Sequence, residues 1–303
     1  MKTTLVPTDF SENSVHAAKA AVMLSSRLHT NILLFNNYVK VSVTPHFAGG
    51  PWVVDELMEL KKESKENLQN LAGDLEALIA GLAPAQPKPA VRVQHAEGNL
   101  GDNIAAIIHE KDIELIVIGA RSGSTIDHML NGSETNLIID ESNCPVIIIP
   151  ESVDLKELNK VIFATNFDET DMKAINYLVK LSYLFNFQIE VIHINSSKSS
   201  GVKSERQTAF EDRLFKLNYP KITYKQVFGK NVISRLNRLC TETGADILAL
   251  VHQHRSPIGR ILKQSTSKKA LSQQKIPLMI FPSIINGNLK WDHYKNNRVM
   301  HVN

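Results

Sequence analysis

The chain has 303 residues, length for about two domains at roughly 150 residues each. Its hydrophobic fraction of 43% is that of an ordinary globular protein, and no apolar run approaches the ~20 residues that a bilayer span requires, which excludes a membrane role of that kind. A formal net charge of +3 hides a division: 11 Lys+Arg against 19 Asp+Glu over 1–152, and 23 against 12 over 153–303.

The first strand is Thr4–Pro7, followed by Thr8-Asp9-Phe10-Ser11-Glu12. Ser11 or Asn13 can cap the helix that follows, about Ser14–Leu28, with Val15, Ala18, Val22 and Leu28 on its apolar face. A second strand covers Asn31–Phe35. After a Pro/Gly-containing connection, Asp55–Leu82 reads as a long amphipathic helix. Val91–His95 is a third strand, Gly98–Gly101 a turn, and Asp102–Glu110 a helix capped by Asp102 or a neighbour. Two continuous β-branched runs, 115–118 and 146–149, have the pattern of parallel strands buried on both faces. Between them lies a Gly/Ser loop with Gly119, Ser122, Gly123 and Gly132, and Ser133 starts another helix. Small residues at a strand's carboxyl end let backbone N–H groups approach a ligand, so this loop reads either as an anion cradle or as an ordinary surface loop. It is neither a P-loop nor a nucleophile elbow.

The second half repeats the first. Val161…Thr165-Asn166-Phe167 aligns with Leu5…Thr8-Asp9-Phe10, Gln188–Ile194 with Asn31–Asn37, Ile222–Phe228 with Val91–Glu97, Asp246–Val251 with Glu114–Gly119, and Pro277–Pro282 with Pro145–Pro150. The alternation of strands and helices predicts a parallel sheet with helices on both faces in each copy. The expected domains are 1–152 and 153–285, with a polar tail over 286–303. Cys144 and Cys240 occupy the two halves without a CxxC neighbour; buried thiols of a reducing cytoplasm are expected. The N-terminus shows no charged-then-apolar leader, which also points to a cytoplasmic protein.

Three features together resemble the universal stress protein family in its tandem-domain form. They are the strand-one ending Val-Pro-Thr-Asp-Phe-Ser, the Gly-x2-Gly-x9-Gly-Ser/Thr-like stretch from Gly119 to Ser133, and Cys-Pro-Val-Ile-Ile-Ile-Pro. The resemblance implies two Rossmann-like five-stranded parallel sheets, strand order 3-2-1-4-5, whose fifth strands pair across a two-fold. It implies a stress-response sensor or regulator rather than an enzyme. It also implies an ATP or AMP site in the first copy, with Thr8 and Asp9 on the adenine side and Gly119, Ser122, Gly123, Gly132 and Ser133 on the phosphate side. Ser122 stands where the family has glycine, with Gly123 one residue late. In the second copy the corresponding positions are Val251, His254, Gln264 and Ser265, and Asp9 becomes Asn166; no family-type site is expected there.

The residues leave alternatives open. Asp9 can face a ligand at a strand's carboxyl end or cap the next helix. His252 and His254, two apart, have metal-ligand spacing, with His193 a candidate third ligand; polar filling of a dead pocket is the reading preferred over zinc. No paired acid and base or nucleophile–His arrangement marks an enzyme. A nucleotide-binding sensor and a ligand-free interaction module therefore stand as the two functional classes. The opposed charge balances predict attraction between halves and a homodimer, alongside an unidentified protein partner. Basic residues without interleaved aromatics argue against nucleic acid.

Overall fold

The computed structural model describes residues 2–38, 52–120, 133–155, 157–195, 204–252 and 276–283. The first half runs β1 (Thr3–Pro7), α1 (Glu12–Leu28), β2 (Asn31–Tyr38), α2 (Trp52–Ala80), β3 (Val91–Glu97), α3 (Leu100–Glu110), β4 (Ile113–Gly119), α4 (Ser133–Glu141) and β5 (Val146–Ile149). The second runs β6 (Lys160–Ala164), α5 (Glu169–Phe185), β7 (Gln188–Asn195), α6 (Glu205–Lys216), β8 (Ile222–Phe228), α7 (Val232–Thr243), β9 (Ile247–Val251) and β10 (Leu278–Phe281).

The strands form one ten-stranded sheet, ordered β3-β2-β1-β4-β5-β10-β9-β6-β7-β8. Numbered within its half, each set of five follows the expected order 3-2-1-4-5. Pairing is parallel except at the centre, where β10 lies antiparallel to β5 with Met279 opposite Ile147. Joining the two fifth strands removes two apolar edges that would otherwise invite aggregation.

The continuous apolar strands serve two faces because successive side chains point opposite ways. In β4, Leu115 and Val117 join one core with α1, α2, α5 and α6. Ile116 and Ile118 join the other with α3, α4 and α7. The first core passes without interruption between the halves. Leu24 and Leu28 of α1 face Tyr177, Leu178 and Leu181 of α5 there, leaving a void of only about 10 Å³. The segment after β5 is fastened to the same face, where His16 Nε2 donates to the Val153 carbonyl at 2.6 Å. Among the described residues the seam is thus built mainly from apolar packing.

Element ends differ from the sequence reading where polar side chains take over from periodicity. Ser11 is the cap of α1, its Oγ accepting from Ser14 N at 3.4 Å, and the helix begins at Glu12. Asn99 caps α3, accepting from Asp102 N, so Leu100 and Gly101 belong to the helix rather than to a turn. β2 extends to Tyr38 because β3 continues to pair beside it.

Candidate functional site

The first-half site opens where β1 and β4 part, the place at which the chain's crossovers change direction and open α/β sheets hold ligands. A cleft of about 870 Å³ lies there. Pro7, Thr8 and Asp9 at the end of β1 form one side, and Ser11, Asn13 and Ser14 at the start of α1 adjoin them. Phe35 and Asn37 of β2, with Glu97 to Leu100 after β3, extend it. Ile118, Gly119 and Ala120 close the β4 side, and Glu134, Thr135, Leu137 and Ile138 of α4 complete the described wall.

Thr8 and Asp9 sit in a tightly bonded turn. Thr8 Oγ1 lies 2.9 Å from Ser14 Oγ and accepts from Phe10 N at 3.0 Å. Phe10 has φ 62°, a left-handed residue that turns the chain into α1. Asp9 Oδ1 accepts from Ser11 N at 3.1 Å and from Ser11 Oγ at 2.6 Å. Asp9 is therefore not the helix cap; it orients the residue that is. Burial opposes its charge, but hydrogen bonds from Ser11 and Ser14 outweigh that and hold the carboxyl below the ordinary aspartate range.

Gly119 lines the cleft, yet its lack of a side chain answers first to the fold. A Cβ there would fall 2.4 Å from the Asn13 carbonyl oxygen, 2.5 Å from its carbon and 2.8 Å from Ser14 N. The glycine admits the N-terminus of α1, a backbone partner rather than a ligand. Ser122, Gly123 and Gly132 lie outside the described residues; Ser133 begins α4.

The second half keeps the frame and changes the groups. Thr8 N bonds to the Phe35 carbonyl as Thr165 N bonds to that of Ile192, which makes Thr8 and Thr165 equivalent. On this register Phe167, with φ 67°, matches Phe10, and His193 matches Asn36. Asn36 Nδ2 donates to the Thr8 carbonyl at 2.7 Å, and His193 Nδ1 donates to that of Thr165 at 2.9 Å. The His193 ring stacks on Phe167 with centroids 4.1 Å apart. Asp171 takes the place of Ser14. Its buried Oδ2 accepts from Thr165 Oγ1 at 2.7 Å, Asn166 N at 3.1 Å and Asp168 N at 3.2 Å. An internal carboxylate thus occupies a turn that in the first half is joined by hydroxyls.

The histidine pair is not brought together as a metal site by anything described. His252 Nε2 donates to Asp140 Oδ1 at 3.2 Å, linking the end of β9 to α4 of the first half. His193 is engaged as above, and His254 lies outside the described residues. Among the described residues there is no cluster of three metal-ligating side chains, and none of their helices is long and apolar enough to cross a membrane.

Sequence reading missed Asn13, Asn37, Glu97 and Leu137 as cleft residues. A signal existed for Asn37, which stands where the apolar run of β2 gives way to polar residues on the sheet's carboxyl edge.

The sheet and its switch-point cleft define a tandem, doubly wound α/β protein. A model of the universal stress protein family matches residues 1–150. A universal stress protein of Methanocaldococcus jannaschii is 27% identical over 152 residues, covering 49% of this chain and 81% of the relative. The universal stress protein YxiE of Bacillus subtilis is 29% identical over 151 residues, 48% and 96% of the two chains. Over nearly its whole length the chain superposes on a universal stress protein from Archaeoglobus fulgidus, with a TM-score of 0.66 at 18% identity, covering 92% of this chain and 96% of that one. That last likeness is one of fold. Residues 1–150 belong to the universal stress protein family, and the second half repeats their strand order.

Proposed function

We propose that the first-half cleft binds an adenine nucleotide or nucleoside and that the chain acts as a ligand-responsive regulator in the stress response, without catalysing a reaction. The observation that carries this reading is the roomy cleft at the β1–β4 switch point with the ionised Asp9 at its edge. Leu137, 38% exposed on the cleft wall, offers apolar surface to a flat base, and a carboxylate fixed by Ser11 is an acceptor suited to an exocyclic amine. The second half has Asn166 at the equivalent place, an amide in which donor and acceptor compete, beside a turn held by Asp171. Binding in the first half alone is therefore proposed. The proposal extends to a cytoplasmic homodimer, in which the acidic half of one copy meets the basic half of another.

The test is calorimetry with AMP on the unmodified chain and on Asp9→Asn, which installs the second-half residue. The unmodified protein should bind, and the variant should lose at least about tenfold in affinity, equivalent to ~1.4 kcal/mol. Equal binding by both would remove Asp9 from the site. No binding by either would leave the interaction-module reading in its place.

A further inference from the structure

Asn37, near the end of β2, lines the cleft, and its amide is held at both ends. Asn103 Nδ2 of α3 donates to Asn37 Oδ1 at 2.7 Å, and Asn37 Nδ2 donates to the Gly98 carbonyl at 2.9 Å. Both partners are fixed in their roles. Asn103 Nδ2 also donates to the Glu97 carbonyl at 3.1 Å, so the nitrogen of Asn103, not its oxygen, meets Asn37. A main-chain carbonyl can only accept, and the turn that carries it is tied to β2 by Gly98 N donating to the Tyr38 carbonyl at 3.1 Å. An amide has two N–H groups and an oxygen with two lone pairs. These bonds use one N–H and one lone pair of Asn37 and leave another of each at the cleft. An unrestrained asparagine exchanges its oxygen and nitrogen by a half-turn of the amide, and so reads a donor–acceptor edge in either sense. A half-turn of Asn37 would set nitrogen against Asn103 Nδ2 and oxygen against the Gly98 carbonyl, forfeiting both bonds. The second half lacks this arrangement. Strand pairing places Ile194 where Asn37 stands, and counting from the capping residues Asn99 and Asn231 places Arg235 where Asn103 stands. Their turn is packed instead: a Cβ on Gly229 would lie 2.8 Å from Arg235 Cβ and 3.2 Å from Ile194 Cγ2.

On the reading that an adenine compound binds in this cleft, we infer that Asn37, locked in one orientation by Asn103 and the Gly98 carbonyl, selects a 6-amino purine over its 6-oxo counterpart. Asn37 is the contact residue and Asn103 its positioning residue. The 6-amino group donates and is flanked by ring nitrogens that accept; a 6-oxo group accepts, and the ring nitrogen N1 beside it carries a proton. An amide of fixed sense pairs with one of these edges and opposes the other. Asp9 adds an acceptor whose own orientation is fixed by Ser11, so two rigid groups of the cleft face the base rather than one.

Calorimetry on the full chain with AMP and IMP, which differ only in the base, tests the inference. The unmodified protein should bind AMP at least about thirtyfold more tightly than IMP, the scale of one hydrogen bond exchanged for an unpaired buried group. Asn103→Ala frees the Asn37 amide to turn, and the ratio should shrink about tenfold, with AMP affinity falling and IMP affinity holding or rising. A merely structural role for Asn103 would instead weaken both ligands alike and leave the ratio where it was. Asn37→Ile installs the residue that the same frame carries in the second half, so it should fold. It should shrink the ratio as well, by weakening AMP alone, and circular dichroism on both variants checks the fold. A ratio unchanged in Asn37→Ile, or in a folded Asn103→Ala, would overturn the inference and leave the adenine reading intact. Equal affinity of the unmodified chain for AMP and IMP would overturn it too. Binding of neither ligand, or a preference for IMP, would overturn both.

Discussion

Replacing Gly119 with alanine adds one methyl group at a place where backbone, not a movable side chain, stands in its way. The nearest atoms would be at 2.4, 2.5 and 2.8 Å, belonging to Asn13 and Ser14. Ordinary carbon contacts begin near 3.5 Å, so the start of α1 must retreat by about 1 Å or the end of β4 must bend. Overpacking of this kind costs roughly 1–3 kcal/mol, and the upper part of that range applies because both neighbours are main chain. The movement also reaches the cleft, since Asn13 and Ser14 line it and Ser14 is bonded to Thr8. Gly119→Ala should therefore lower the urea midpoint without changing the slope, and hydrogen exchange should show faster opening at the first turn of α1. Adenine-ligand affinity should fall with it. Val251→Ala, at the equivalent place in the second half, provides the contrast: it removes atoms instead of adding them and should leave ligand binding alone. A Gly119→Ala protein as stable as the parent, with unchanged exchange in α1, would refute the claim that the glycine serves the helix approach.

Two further outcomes are expected. Burial raises the Asp171 pKa to about 6 from 3.8, against the hydrogen bonds that favour its charge. A raised folded value means the folded state holds the proton more tightly, so the contribution to stability is full below pH 3.8 and is lost as pH rises through about 6. At neutral pH the charged group costs roughly 3 kcal/mol, at ~1.4 kcal/mol per unit. Asp171→Asn can keep an acceptor in place of Oδ2 and should be more stable than the parent by up to about that amount at pH 7.5, the difference vanishing near pH 4; parallel stability curves across this range would contradict it. Residues 1–152 produced alone would expose β5 where β10 now pairs. Light scattering should find that fragment as a dimer or larger, since an apolar edge strand recruits another, and a stable monomer would count against the seam as the joining element.

Much of the fold was legible because it rests on patterns that act locally. The uninterrupted runs at 115–118 and 146–149 announce strands covered on both faces, and the repeat of Thr-x-Phe after strand one announces a second copy with the same left-handed turn, seen at Phe10 and Phe167. The pairing of the fifth strands was what the family resemblance implied, and it covers two apolar edges. What the sequence concealed depends on distances between segments far apart in the chain. Nothing near Gly119 says that Asn13, more than a hundred residues earlier, approaches to within contact of it. Nothing in the composition of α5 says that Asp171, three residues after a plausible cap, turns inward to hold the preceding turn. The charge division was legible as a count, but the packing of Tyr177, Leu178 and Met279 at the seam is not something a whole-half charge balance can register.

The seam has a consequence for how two halves of one frame can carry different groups. In a symmetric dimer of identical chains, any change at one site is a change at both. Here the partners are parts of one sequence, so Ser14 and Asp171, Asn36 and His193, Gly119 and Val251 can differ while β5 and β10 still pair and the apolar core still runs across. The second half need only present the complementary edge and the helix face of α5 to support the first. Its turn is free to be closed by its own carboxylate, and separately the end of β9 meets α4 of the first half at the hydrogen bond from His252 to Asp140. α4 also lines the first-half cleft through Glu134, Thr135 and Leu137, so this contact joins the second half to a wall of that cleft. One contact of the second half thus bears on a helix that lines the first-half cleft.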